Sequence, residues 1–233
     1  MMLINSMKTR IFLTGILAFL STAISLWMLT AFSFKPKEPL KGFQSPIVAI
    51  ELAGSPQVFT SIVGGSQDHN RTIVRKSLRA DYVFIAVYWL LFVSMSILFA
   101  GCRYPGAYLF GIAAGVCITA AAAFDHLENS YIAQMLSLSP TDNGHEVINK
   151  LHHASLTKWM LIFVTTSLVS QLFISRKDWI ALTGYLFVLT TALGLSGLLY
   201  NPAIEWASIP MGIGIVMVAV VFTFCSKRFI RGF

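Results

Sequence analysis

The sequence predicts an all-α polytopic membrane protein, a bundle of about six transmembrane helices that form a single integral membrane domain over 1–233. Hydrophobic residues make up 56% of the chain and charged residues only 12%, whereas soluble domains contain about 25% charged residues. Six apolar runs each approach the ~20 residues that a helix needs to cross a bilayer. The runs lack the alternation of barrel strands, so the spans are predicted to be helices.

The charge distribution predicts an orientation for these spans. The predicted spans are 11–31, 82–100, 104–124, 159–175, 179–199 and 207–225. The side that carries both termini holds eight Lys or Arg residues and one Asp, a net charge of +7, while nine cations and nine acids balance on the other side. Because Lys and Arg favour the cytoplasmic side, both termini are expected there, in a bacterial inner (plasma) membrane. The same rule applies in the endoplasmic reticulum.

The first span resembles a signal sequence in its charge pattern only. Lys8 and Arg10 precede an apolar run of about 20 residues, which is longer than the apolar region of a cleaved signal peptide. We therefore expect an uncleaved first helix.

The outer loop 34–80 is too long to lack structure of its own. Ser45-Pro46 and Ser55-Pro56 each place a capping hydroxyl before a proline suited to the first helical turn. Two short helices, 46–53 and 56–63, are predicted, with Gly54 and Gly64 at their ends. Both are apolar, so we expect them to lie on the bilayer surface or to roof the outer side of the bundle. The cations of 71–79 lie on this same side and count against the predicted orientation.

Spans 3 and 4 are predicted to form one helical hairpin that projects beyond the membrane. Apolar residues continue at helical spacing past 124, and turn-forming residues cluster at 139–144. If the hairpin turns near 142, residue i faces approximately residue 284 − i. This register predicts that Asp125 and Lys158 pair across the hairpin.

Candidate site residues gather near the outer end of this hairpin. Asp125, Glu128 and Asn129 follow the i, i+3, i+4 spacing of one helical face. Two carboxylates in low-dielectric surroundings do not both keep their charge cheaply, so they are expected to share a proton or a cation. Asp81 and His152 are weaker members of the same candidate catalytic site, with His152 as a proton partner of Glu128. The alternative is a helix exit whose acids are solvated or paired with Lys158.

Two further acids have structural explanations in the sequence. Glu205 follows Asn201-Pro202 at the predicted start of span 6, where an acid complements the helix dipole. Glu51 lies among apolar residues of the first loop helix and would need a partner if that helix docks on the bundle.

No metal or cofactor site is predicted. His152 and His153 point about 100° apart on a helix, and the sequence contains neither an HExxH motif nor a CxxC motif. Nucleic acid is not an expected partner, because the cations flank the spans as the positive-inside bias predicts. The expected partners are the lipid bilayer, a lipid or apolar small molecule, and another membrane protein.

Three functions fit the sequence. An accessory or interaction protein embedded in the membrane, with a polar site at the outer interface, is favoured because it requires the fewest assumptions. A small membrane enzyme would use the carboxylate pair on a lipid or another apolar substrate. A proton- or cation-coupled transporter is less favoured, because the acids gather near one interface rather than deep in the membrane.

Overall fold

The computed structural model describes residues 2–40, 42–65, 67–102, 105–138, 143–176, 178–226 and 229, which contain helices and no strands. The helices are α1 (Met2–Ala31), α2 (Pro46–Glu51), α3 (Pro56–Val63), α4 (His69–Ala100), α5 (Ala107–Ser137), α6 (His145–Ile174), α7 (Ala181–Ser196) and α8 (Pro202–Phe224). The six longest helices form a closed ring in chain order, since each packs on the next and α1 contacts both α8 and α4.

Five of these helices are long and apolar enough to cross a membrane: Met7–Ala31 within α1, and α4, α5, α6 and α8. The sixth predicted span, 179–199, forms the apolar helix α7, which has only 16 residues. Its helical geometry ends at Ser196, and the chain turns through 197–201 before Pro202 starts α8. The protein is therefore an integral membrane protein with five clear span candidates, and α7 is shorter than the ~20 residues of a standard span.

Three helices extend well beyond the predicted spans. α4, α5 and α6 have 32, 31 and 30 residues, about 45–48 Å at ~1.5 Å per residue, against ~30 Å for a bilayer core. The predicted hairpin of spans 3 and 4 corresponds to α5 and α6, but α4 also begins 13 residues before the predicted span 2. The sequence pattern missed this part of α4 because polar residues surround its apolar Val74 and Leu78.

The helices α2 and α3 cover the extended ends of α4, α5 and α6. Each begins at its proline, and Ser45 and Ser55 accept hydrogen bonds from the amides of Val48 and Val58. The first ends at Glu51, before Gly54, while Gly64 ends the second with φ 84°. Buried side chains of α2, α3 and the turn between them join the ends of α4, α5 and α6 in a cluster that we call the outer core, after the side of the membrane predicted for it: Ala49, Ile50, Ala53, Phe59, Ile62, Val63, Val74, Leu78, Ile132, Met135, Leu136, Ile148 and Leu151.

Part of the 71–79 cation cluster stabilises this outer region. Arg71 is buried, and its guanidinium donates to the carbonyl oxygens of Gly64, Leu136 and Leu138. The carbonyls of Leu136 and Leu138 lie at the carboxyl end of α5, where no helical N–H is available to them. The Arg71 cation donates hydrogen bonds to these carbonyls and interacts favourably with the negative end of the helix dipole. This role accounts for one of the cations that counted against the predicted orientation.

Candidate functional site

A set of buried and half-buried polar side chains separates the outer core from a second apolar core within the bundle. We call this set the polar layer: Glu51, Asp81, Asp125, Glu128, Asn129 and Lys158. On α5 it lies between Ala122 of the bundle core and Ile132 of the outer core, and on α4 it lies between Ile85 and Leu78. Three helices of the ring and the roof helix α2 thus meet in a layer of charged groups that lies between two apolar regions.

Lys158 lies at the centre of the polar layer and is only 4% exposed. Its Nζ lies 2.7 Å from Oε1 of Glu128, 3.1 Å from Oε2 of Glu51 and 3.4 Å from Oδ1 of Asp125. The Asp125–Lys158 pairing that the hairpin register predicted is therefore confirmed. The three ion pairs join α5, α6 and α2, so that one ammonium group connects the roof to the bundle.

Neutral donors contact three of the four carboxylates. The Tyr88 hydroxyl donates to Oδ2 of Asp125 at 2.8 Å, and the Trp159 indole N–H donates to Oε2 of Glu51 at 3.0 Å. On the other side of the layer the Asn129 amide donates to Oδ2 of Asp81 at 2.6 Å. Asp81 is partly exposed while the other members are buried, which makes it the member of the layer closest to solvent or headgroups.

Two buried polar atoms in this region lack a hydrogen-bond partner within the described residues. They are Oε2 of Glu128, which is 1% exposed, and Oγ of Ser155, which is fully buried. Ser155 precedes Lys158 by three residues on α6 and therefore shares its helical face. An unsatisfied buried acceptor costs about 1–3 kcal/mol, so the free Glu128 oxygen favours a proton or a small polar ligand there.

The formal charges of the polar layer do not balance. Its four carboxylates face one ammonium group, and the neighbouring Tyr88 and Trp159 add no charge. Within the described part of the chain, no three His, Cys, Asp or Glu side chains are arranged to hold a metal ion. Lys158 Nζ itself lies between the carboxylates of Glu51, Asp125 and Glu128, in the position that a bound cation would take.

His152 does not have the predicted contact with Glu128. Its Nδ1 instead lies 3.2 Å from the carbonyl oxygen of Leu52, which follows the last residue of α2. Six residues separate His152 from Lys158, a rotation of about 240° around the helix, so the two side chains leave α6 on different sides. The contact with Leu52 gives His152 a role in holding the roof and not in completing the polar layer.

Glu205 contacts the roof, which the sequence did not predict. Its two carboxylate oxygens accept hydrogen bonds from the backbone amides of Gln44 and Ser45 at 2.8 and 2.7 Å. Glu205 does lie in the first turn of α8, as expected. It therefore fixes the amino end of α2 to the bundle, while Lys158 and Trp159 hold Glu51 at the carboxyl end.

The sequence predicted some residues of the polar layer and did not predict others. The structure brings Asp125, Glu128, Asn129 and Asp81 together in the polar layer, while their catalytic role stays a prediction. Glu51 was identified only on the condition that its helix docks, and Tyr88 was not identified at all. The spacing of Tyr88 was the available signal. It follows Asp81 by seven residues, about two helical turns, and residues i and i+7 share a helical face.

No protein-family model, curated protein or solved structure matches this chain.

Proposed function

We propose that this integral membrane protein works through proton exchange at the polar layer, which takes up and releases a proton from the outer side of the membrane. The observation that carries the proposal is the buried Oε2 of Glu128, which has no partner among the described residues, in a group of four carboxylates and one ammonium. A proton on Oε2 of Glu128 would turn this unsatisfied acceptor into a neutral hydroxyl and would reduce the charge imbalance.

The cost of buried charge supports this proposal. A buried ion pair is stable only when its remaining oxygens also find partners, and isolated buried carboxylates are neutralised by protons. Lys158 offsets one negative charge and leaves three. Asp81 gives the layer a partly exposed member through which protons can exchange, and the Asn129 side chain links Asp81 to the face of α5 that carries Glu128.

The same site bears on the competing functions. An accessory or interaction role makes no use of buried ionisable groups, so the polar layer favours proton exchange over it. A second candidate is an enzyme that acts on a lipid or another apolar substrate. It is favoured by Ser155 and Glu128, which place two unpartnered polar atoms on facing helices and could hold a small polar group of a substrate.

We further propose that α7 is a short sixth span and that both termini are cytoplasmic, in a bacterial inner membrane. The closed ring of six helices supports this count, because α7 fills the position between α6 and α8. Six crossings put both termini on one side, the side with the net charge of +7. A helix shorter than the bilayer core is tolerated when the membrane thins around it.

Cysteine labelling tests this orientation. Replacing Asn143 with cysteine should allow labelling by a membrane-impermeant maleimide from outside, while a cysteine at Lys8 should be protected until the membrane is opened. Both positions are exposed, whereas Gly144 is buried and unsuitable as a reporter. The native cysteines Cys102, Cys117 and Cys225 are first replaced by alanine. Labelling of the cysteine at position 8 in intact cells, with the cysteine at position 143 protected, would show that the orientation is the reverse of the proposed one.

Glu128→Gln tests proton exchange at the polar layer. The substitution keeps the shape of the side chain and removes its titratable group, so a protonation change seen in the wild type should be lost. The measurement is infrared difference spectroscopy between acidic and alkaline pH, in the carboxylic-acid stretching region, on protein in lipid vesicles. In parallel, Trp159 fluorescence, isolated by comparison with Trp159→Phe, reports on the contact with Glu51.

Glu146→Gln is the matched control for this experiment. Glu146 lies on α6 in an exposed i, i+4 pair with Lys150 and outside the polar layer, so its substitution makes the same chemical change without touching the layer. The control should keep the pH-dependent signal of the wild type. If a folded Glu128→Gln protein also keeps that signal, or if the wild type has none, the proton-exchange proposal is wrong.

A further inference from the structure

The outward face of α4 carries cations in line with a lipid-facing apolar stripe. Arg75, Lys76 and Arg79, here called the α4 cation stripe, are exposed and follow i, i+1, i+4 spacing. The same face continues toward the carboxyl end of α4 with Tyr82, Val83 and Leu90, which are 43%, 57% and 43% exposed. A large apolar surface of this kind is suited to lipid, and the cations lie directly at its outer end.

Within the part of the chain that the structure describes, the cations of this stripe have few protein partners. Arg75 donates one hydrogen bond to the carbonyl of Leu136. Lys76 and Arg79 make no ion pair with the described residues, because the acid at the start of α4, Asp68, pairs with Lys37 at 2.8 Å, and Asp81 accepts from Asn129. The hydrogen bond from Lys37 also lowers the pKa of Asp68, which keeps that carboxylate charged and engaged.

The stripe lies toward the amino end of α4, which the proposed orientation places at the outer edge of the membrane. Arg79 lies two residues before Asp81 of the polar layer. Tyr82, about one turn after Arg79, stacks on His126 of α5 with ring centroids 5.2 Å apart. Aromatic side chains gather at the headgroup level of membrane proteins. The exposed Trp27 and Trp206, near the outer ends of α1 and α8, belong to the same belt.

From this charge complementarity we infer that the α4 cation stripe binds the headgroup of an anionic phospholipid in the adjacent leaflet, which is the outer leaflet in the proposed orientation. Lys76 and Arg79 would contact the phosphate, Arg being suited to bidentate contact with phosphate oxygens. The acyl chains would lie along Val83 and Leu90. The inference does not depend on proton exchange at the polar layer, since these side chains point away from it.

A site-specific quenching experiment tests this inference. A fluorophore on a cysteine at Val83, in protein without native cysteines, is exposed to brominated phosphatidylglycerol or brominated phosphatidylcholine in detergent micelles. Phosphatidylglycerol should quench at lower concentration. Because each cation near an anionic lipid contributes about 1 kcal/mol, K76Q/R79Q should weaken phosphatidylglycerol binding roughly thirty-fold. Phosphatidylcholine quenching should not change.

The control is K8Q/R10Q, which removes the same two charges at the opposite end of the bundle. It should keep the preference for phosphatidylglycerol at Val83. Thermal unfolding of both double variants verifies that they are folded, as expected for exposed side chains. The inference is overturned if the wild type has no preference, if K76Q/R79Q keeps it, or if K8Q/R10Q loses it equally.

Discussion

Lys158→Met should destabilise the protein by about 3–5 kcal/mol, the cost of removing one partner from a buried ion pair. The methionine fills a similar volume but leaves Glu51, Asp125 and Glu128 without the ammonium that all three contact. The measurement is thermal or denaturant unfolding in detergent, with Trp159 fluorescence as a second signal for loss of the roof contact. We expect α2 to be released before the bundle unfolds.

Lys150→Met is the matched control on the same helix. Lys150 pairs with Glu146 at 2.6 Å, but the two side chains are 54% and 80% exposed, and exposed pairs contribute about 0–1 kcal/mol. Adding Glu128→Gln to Lys158→Met should recover part of the lost stability, because one buried charge is then removed. Equal effects of the two lysine substitutions, or no recovery in the double variant, would mean that Lys158 does not balance the charge of the layer.

The helical spacing of the sequence predicted the parts of the site that lie within one hairpin. Asp125, Glu128 and Asn129 share a face by periodicity, and a turn predicted near 142 yields the register that pairs Asp125 with Lys158, although residues 139–142 lie outside the described part of the chain. Both signals are local. They need only the helix repeat and the position of one turn, and for that reason a single sequence contained them.

The contacts of the roof could not be predicted in the same way. Glu51 and Glu205 each lie more than 100 residues from their partners along the chain, and no periodicity relates such positions. Their neighbours in the sequence indicated other roles. Glu205 was predicted to complement the dipole of a helix, and Glu51 was predicted to need a partner only if its helix docks on the bundle. Only the docking of α2 on α5 and α6, and of Gln44 and Ser45 on α8, determined what these carboxylates contact.

The position of the polar layer connects the proposed chemistry to the roof. Glu51 is the one carboxylate of the layer that the roof supplies, and the remaining acids belong to α4 and α5. A proton added to Glu51, or to a carboxylate that competes for Lys158, would weaken the attraction that holds α2. Proton exchange would then change how firmly the roof is attached, with Glu205 keeping the amino end of α2 in place.

Glu205→Ala should release that amino end and increase hydrogen–deuterium exchange in α2. Two hydrogen bonds from the Gln44 and Ser45 amides to a charged carboxylate are lost, and bonds to charged groups contribute about 1.5–3 kcal/mol. Since Glu205 is partly exposed, we take that range for the two bonds together. It corresponds to roughly ten- to hundredfold faster exchange at ~1.4 kcal/mol per tenfold. Exchange in α5 should be unchanged.

Glu38→Ala is the control for this experiment, because Glu38 is an exposed acid in the segment before α2 that also contains Gln44 and Ser45. It should leave the exchange of α2 at the wild-type rate. Loss of the Glu205 carboxylate also weakens the start of α8, so exchange there can rise by the smaller helix-dipole contribution of about 0.3–1 kcal/mol. An increase confined to α8, with α2 still protected, would show that Lys158, Trp159 and His152 hold the roof without Glu205.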